Sequence, residues 1–314
     1  MSNMKYYIGH TLDSDIRFKA SSGGIGSYII KYLLSSKEYG TSMTMVFNSK
    51  ECKYEPKLIH SYEEYHNCGS VYQDIDVYEF IKNNINNIIN GIIVTCMPCQ
   101  VRKITKILTS YNIKHFIISL CCSGQTKVEG TWCLYKFLGL KRQEIKNIQY
   151  RGNGWPSGIQ IELTNGKIIK RDNYSYPWNI IHSSFLFRPS RCLFCTYKTV
   201  PYSDINLADP WLIEYQTDTI GNSVIIANTS KGYKLIEELI SNNLIKCIVS
   251  DEDTYIRSQK GTIEEKAKVK LHRKYYKFIK QLSQNKIYVN IVTFSAITMK
   301  IHTRIIQKLK EIIK

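Results

Sequence analysis

Four cysteines stand in settings where their thiols could do chemistry. Cys192 and Cys195 form a tight C-x-x-C, while Cys99 follows Pro98 and Cys122 precedes Ser123 and Gly124, each just after an apolar run. Thiolates are soft ligands that suit iron–sulfur clusters and zinc, and two of them two residues apart can grip one metal centre. Cys96 and Cys99 make a second C-x-x-C, so a four-cysteine zinc site is an open alternative, as is no metal at all. Against a compact zinc ribbon, about 92 residues lie between the two pairs. Cys52, Cys68, Cys133 and Cys247 have no partner at a useful spacing and are expected to be packing thiols.

Two glycine-rich segments could handle an anion or a planar ring. Ser21, Ser22, Gly23 and Gly24 sit directly ahead of a helical pattern, where small residues and a helix N-terminus favour a phosphate; a simple capped turn is the plainer reading. In Tyr150 to Gly158, Arg151 could grip a phosphate or carboxylate and Trp155 could lie against a ring, or the segment is a hairpin loop with an aromatic plug. Asp204 and Asp209 invite a paired-acid reading, but no second motif supports hydrolysis, and Asp209 before Pro210 is expected to cap a turn.

These residues must be held by elements, and the pattern alternates apolar strands with amphipathic helices, which predicts an α/β protein. Helices are expected at Ile25 to Leu34, Tyr78 to Ile89 and Gln100 to Thr109, and strands at Thr41 to Phe47, Gly91 to Thr95 and His115 to Leu120. The last two strands deliver Cys99 and Cys122 to carboxyl ends, the edge at which open α/β sheets hold ligands. Alternating segments from Ile148 to Arg171 predict a small antiparallel insertion, followed by a strand at Ser223 to Asn228 and helices at Lys234 to Ile240 and over much of Glu264 to Leu282. The fold class is therefore a mixed sheet flanked by helices, with a smaller β-rich insertion and a helical C-terminal segment. The expected division is 1–144, 145–250 and 251–314.

At 43% hydrophobic and 22% charged residues, the 314-residue chain has the composition of a globular protein. No run of about 18 apolar residues predicts a transmembrane helix, and the N-terminus lacks a secretory core, so a cytoplasmic location is expected, with ten cysteines reduced, ligating or buried. The net charge of +17 is concentrated: residues 266–314 carry 13 Lys and Arg against one acid, Glu311. Nucleic-acid binding is not expected; a solvated basic face, or a surface for another polyanion, a lipid or an acidic partner protein, is.

Taken in order, the motifs resemble those of the coenzyme F420 hydrogenase/dehydrogenase beta-subunit family over roughly residues 5 to 235. Ala20 to Gly24 is similar to its Ser-Ser-Gly-Gly signature, Cys96 to Gln100 to its Gly-Thr-Pro-Cys-Gln turn, and Leu120 to Gly124 to its Cys-His-Gly turn. Tyr150 to Pro156 resembles its Arg-Gly-x-Gly-Trp-Pro loop. Arg191 to Cys195 with Ala208 to Trp211, and Gly221 to Gly232, resemble its closing motifs.

The resemblance implies an iron–sulfur flavoprotein oxidoreductase that moves electrons between a hydride carrier (coenzyme F420 or similar), FAD and a [4Fe-4S] cluster. Carried over, Cys99, Cys122, Cys192 and Cys195 would ligate the cluster, and Ser21, Ser22, Gly23, Gly24, Arg151, Asn153 and Trp155 would contact FAD. Cys96 and Ser123 depart from the family's glycine and histidine, and Asp209-Pro210-Trp211 from its Gly-Asp-x-Trp. No C-x2-C-x2-C-x3-C-P run is present, so an external partner such as a ferredoxin is expected, docked on the basic C-terminal segment. The rival reading is a relative that modifies a polysaccharide or metabolite, or a non-redox zinc or binding module on the same fold.

Overall fold

The computed structural model describes residues 4–197 and 202–312. Its strands are β1 (Lys5–Thr11), β2 (Thr41–Asn48), β3 (Lys53–Ile59), β4 (Ile92–Cys96), β5 (His115–Leu120), β6 (Ile145–Gln149), β7 (Gly158–Leu163), β8 (Ile168–Asp172), β9 (Ile205–Ala208), β10 (Ser223–Ala227) and β11 (Ile245–Ser250). Eight of them form one mixed sheet in the order β11-β1-β10-β9-β5-β4-β2-β3. The centre, β2, β4, β5 and β9, runs parallel, and the flanking strands pair antiparallel.

Helices α1 (Ser14–Lys19), α2 (Ile25–Ser35), α3 (Val77–Asn83), α4 (Pro98–Ser110), α5 (Val128–Phe137), α6 (Trp178–Ser183), α7 (Ser190–Leu193) and α8 (Ser230–Ser241) intersperse these strands. The central strands read as unbroken apolar runs because both faces are covered. Ile93, Phe116, Ile118 and Ile205 pack with α2 and α8, whereas Ile92, Val94 and Ile117 pack with α3 and α4. The expected helix at Tyr78 to Ile89 is shorter, with a 3-10 turn at Ile85–Asn87. Helix α4 starts two residues earlier than its pattern suggests, because Pro98 sits well in a first helical turn; Cys99 therefore lies inside that turn.

The small sheet β6-β7-β8 is the expected insertion. It buries Ile145, Ile148, Ile159, Ile161 and Leu163 against α5 and Trp178, and leaves most of β8 to solvent. The chain then returns to the large sheet: β9 lies beside β5, and β1 is held between β10 and β11. Five helices close the chain, α9 (Glu252–Ser258), α10 (Lys260–Leu271), α11 (Arg273–Gln284), α12 (Lys286–Val292) and α13 (Ala296–Ile312). Val269, Tyr275, Tyr276, Ile279 and Ile306 clamp Leu193, next to the C-x-x-C.

Candidate functional site

The carboxyl ends of β4, β5 and β9 share one edge, since Cys96 lies opposite Ser119 and Leu120 opposite Leu207. A cavity of about 910 Å³ opens there, at the upper end of ordinary ligand pockets.

One wall is the turn between α1 and α2. The Gly23 N–H donates to Ser223 Oγ at 2.9 Å, and the Ser22 hydroxyl donates to the Asn222 carbonyl. The Ser70 N–H donates to Ser21 Oγ at 2.5 Å. Gly23 has no room for a side chain: a Cβ would lie 2.4 Å from the Gly9 carbonyl oxygen. Ser21, Ser22 and Gly24 face the cavity, while Gly23 faces the strand behind it.

Arg151 locks this wall. Its guanidinium donates to Asp209 Oδ2 at 2.6 Å and to the Ser21 carbonyl at 2.5 Å. The rings of Trp155 and Trp211 flank it at 5.0 and 5.6 Å. The carboxylate and the rings that Arg151 and Trp155 could engage are thus in the protein itself. Arg151 is 3% exposed, and the Asp209 charge raises its pKa against the opposing effect of burial. Arg151 Nε is buried without a partner. Asp209 therefore pairs with Arg151 as well as closing its turn. Asp204 accepts hydrogen bonds from the Ile117 N–H and the Thr229 hydroxyl, both at 2.8 Å, and so ties β5 to the loop after β10.

The thiols gather beside the cavity. Cys122 lines it, and Cys99, Cys192 and Cys195 lie close enough to act on one another electrostatically. Burial, followed by the neighbouring sulfurs, pushes the Cys99 thiol up to about 11. Burial also pushes Cys122 up to about 11, while Lys266, 2% exposed, pulls it the other way. Cys192 and Cys195 are held in a turn in which the Cys195 N–H donates to the Cys192 carbonyl at 3.3 Å. The donor chemistry suits a thiolate-held metal centre. Among the described residues, however, no three His, Cys, Asp or Glu side chains are already drawn tightly enough around one point to hold a single ion. Cys96 is buried at the end of β4, and Cys121 donates to Gln259 Oε1 at 3.3 Å.

The far end of the cavity is polar. Arg188 and Lys310 both contact Glu265, at 2.7 and 3.0 Å, and their ion pairs hold that carboxyl below its ordinary range against burial. His182 accepts or donates at Thr126 Oγ1, 3.2 Å away, and burial, reinforced by Arg188, pushes its pKa down to about 3.

Of the residues singled out in the sequence, the structure brings Ser21, Ser22, Gly24, Cys122 and Arg151 to the cavity. Asn153 turns outward and donates to Gln149 Oε1 at 3.1 Å, and Trp155 stands behind Arg151 rather than on the wall. Tyr72, His182, Arg188, Glu265 and Lys310 also line the cavity and were not singled out by any spacing. Cys68, expected to be a packing thiol, lines it as well. These residues come from separate segments with no local pattern to mark them.

Comparison with known proteins agrees with this geometry. Residues 6–82 match the family described as coenzyme F420 hydrogenase/dehydrogenase, beta subunit N-term, and residues 89–252 match the companion family that describes the C terminus of the same beta subunit. No curated protein gives a significant match. Among solved structures, a chain of the F420-reducing [NiFe] hydrogenase complex from Methanosarcina barkeri is similar in fold, with a TM-score of 0.61 and 14% identity. The alignment covers 84% of this chain and 90% of that one. With both halves of the family matched across the sheet and the cavity it carries, the chain belongs to the coenzyme F420 hydrogenase/dehydrogenase beta-subunit family, a family of oxidoreductases.

Proposed function

We propose that the chain passes electrons between a hydride-carrying deazaflavin (coenzyme F420 or a similar carrier), FAD and a [4Fe-4S] cluster, and on to a partner protein. One arrangement supports this reading: Cys122 shares a cavity wall with Ser21, Ser22 and Gly24, and three further thiols lie within its electrostatic reach. Cys99, Cys122, Cys192 and Cys195 would hold the cluster, and the Ser21 to Gly24 wall would seat the flavin. When bound, flavin exchanges electrons in pairs and a cluster takes them singly.

The chain's own residues prepare the site. The Arg151–Asp209 pair fixes the Ser21 carbonyl, so the wall keeps its shape without a ligand. Trp155 supports the guanidinium from behind, and Asn153 braces the same loop through Gln149. Lys266 lies beside Cys122 and offsets part of the burial that raises its thiol pKa. Helices α10 and α13 line the polar end of the cavity.

An external electron partner is in keeping with the similar chain in Methanosarcina barkeri, which comes from a multi-subunit hydrogenase complex. Lys268, Lys270, Arg273 and Lys274 are exposed and offer a basic surface to an acidic ferredoxin. The reading places the chain in the cytoplasm, where ten unpaired cysteines stay reduced. No helix among the described residues is long and apolar enough to cross a membrane.

Cys192→Ser tests the ligand set. The variant should fold, since the hydroxyl occupies little less space, yet lose iron and the broad visible absorbance. Full retention of both would overturn the assignment.

A further inference from the structure

The last two helices present an apolar face that nothing among the described residues covers. Ile287 and Ile291 on α12, Phe294 in the turn, and Ile297, Ile301 and Ile305 on α13 are between 52% and 75% exposed. Their spacing puts each helix's members on one side, since residues three or four apart share a face. The opposite side is anchored: Val292, Met299 and Ile306 are buried in the protein. The face therefore belongs to packed helices and not to a frayed end. None of the six side chains lines the cavity.

Cations run beside this row. Lys286, Lys300, Arg304 and Lys308 are exposed and enter no ion pair among the described residues. From residue 266 to 312 the single acid is Glu311. The family matches end at residue 252, so the face lies on a segment outside them.

We infer that this face docks on an anionic lipid surface. The composition separates a bilayer from a protein partner. Protein interfaces are enriched in Tyr, Trp, Phe, Met and Arg and depleted in Lys, and their energy concentrates in a few aromatic or Arg anchors. This face is five Ile and one Phe with three Lys and one Arg alongside, and holds neither Tyr nor Trp. An aliphatic row flanked by cations on the exposed side of a packed helix suits an interfacial contact: the apolar row enters the acyl boundary, and the long cationic side chains beside it reach back to the phosphates. The contact is peripheral, and it is independent of the redox reading.

The test is flotation of the full chain with vesicles of phosphatidylcholine alone or phosphatidylcholine doped with phosphatidylglycerol. Two variants accompany it, Ile297→Gln/Ile301→Gln/Ile305→Gln and Lys300→Gln/Arg304→Gln/Lys308→Gln, both confined to exposed positions. The chain should float with anionic vesicles only, and removing three cations should weaken partitioning about 100-fold. The glutamine replacements of isoleucine should abolish flotation while leaving the melting temperature unchanged. No binding of the parent chain to anionic vesicles, or binding by either variant as strong as the parent's, would overturn the inference. So would a concentration-dependent dimer, or a saturable complex with an acidic ferredoxin, that the isoleucine variant breaks.

Discussion

Asp209→Asn isolates the lock on the cavity wall. The Arg151 side chain is 4% exposed and Asp209 20%, with 2.6 Å between their charged atoms. Removing one partner of a buried pair costs about 3–5 kcal/mol, because the other charge stays buried and unpaired. The partial exposure of Asp209 lets water compensate some of that, so about 2–3 kcal/mol is expected. Removing both charges, as in Arg151→Met with Asp209→Leu, should recover about 1 kcal/mol of the loss. The remainder, about 1–2 kcal/mol, is the Ser21 carbonyl left without its donor. Urea unfolding followed by tryptophan fluorescence suits the question, since Trp155 and Trp211 stack 4.6 Å apart around the guanidinium. A loss below about 0.5 kcal/mol in the single variant, or a double variant equal to the sum of its parts, would refute the reasoning.

Gly23→Ala should destabilise by about 2 kcal/mol or more, because its Cβ would lie 2.4 Å from the Gly9 carbonyl oxygen and 2.8 Å from the Ser223 nitrogen; a thermal melt within error of the parent would count against the close approach. His182 stays neutral down to about pH 3 in the folded chain but charges near 6.5 when unfolded, so stability should fall as pH drops through that window. Part of its ring faces the cavity, so the loss should be about 2 kcal/mol, and His182→Asn should flatten the profile; an unchanged profile would disprove it. Charge reversal at Lys268, Lys270, Arg273 and Lys274 should slow electron exchange with an acidic ferredoxin and weaken its salt dependence, and an unaltered rate would remove this surface as the dock.

Much of the fold was legible because periodicity reports burial. The strands carrying Ile92 to Cys96 and His115 to Leu120 are covered on both faces, and each ends close to the cysteine that the pattern placed after it. What local pattern could not give was partnership. Nothing in Lys5 to Thr11 announces that it will sit between β10 and β11, over 200 residues away. For the same reason the sequence offered Arg151 and Asp209 as separate candidates, one for a ligand and one for a turn, when each is the other's partner. Asp204 and Asp209 read as a pair only in the chain; in space they brace different elements. The polar end of the cavity was invisible because Arg188, Glu265 and Lys310 converge from three distant segments.

The central claim is that thiols and cavity together hold a cluster and a flavin. Iron, acid-labile sulfide, zinc and flavin measured on one anaerobically purified sample test it most directly. The account predicts about four iron, four sulfide and one FAD per chain. Zinc in place of iron, or neither metal nor flavin after anaerobic reconstitution, would contradict it.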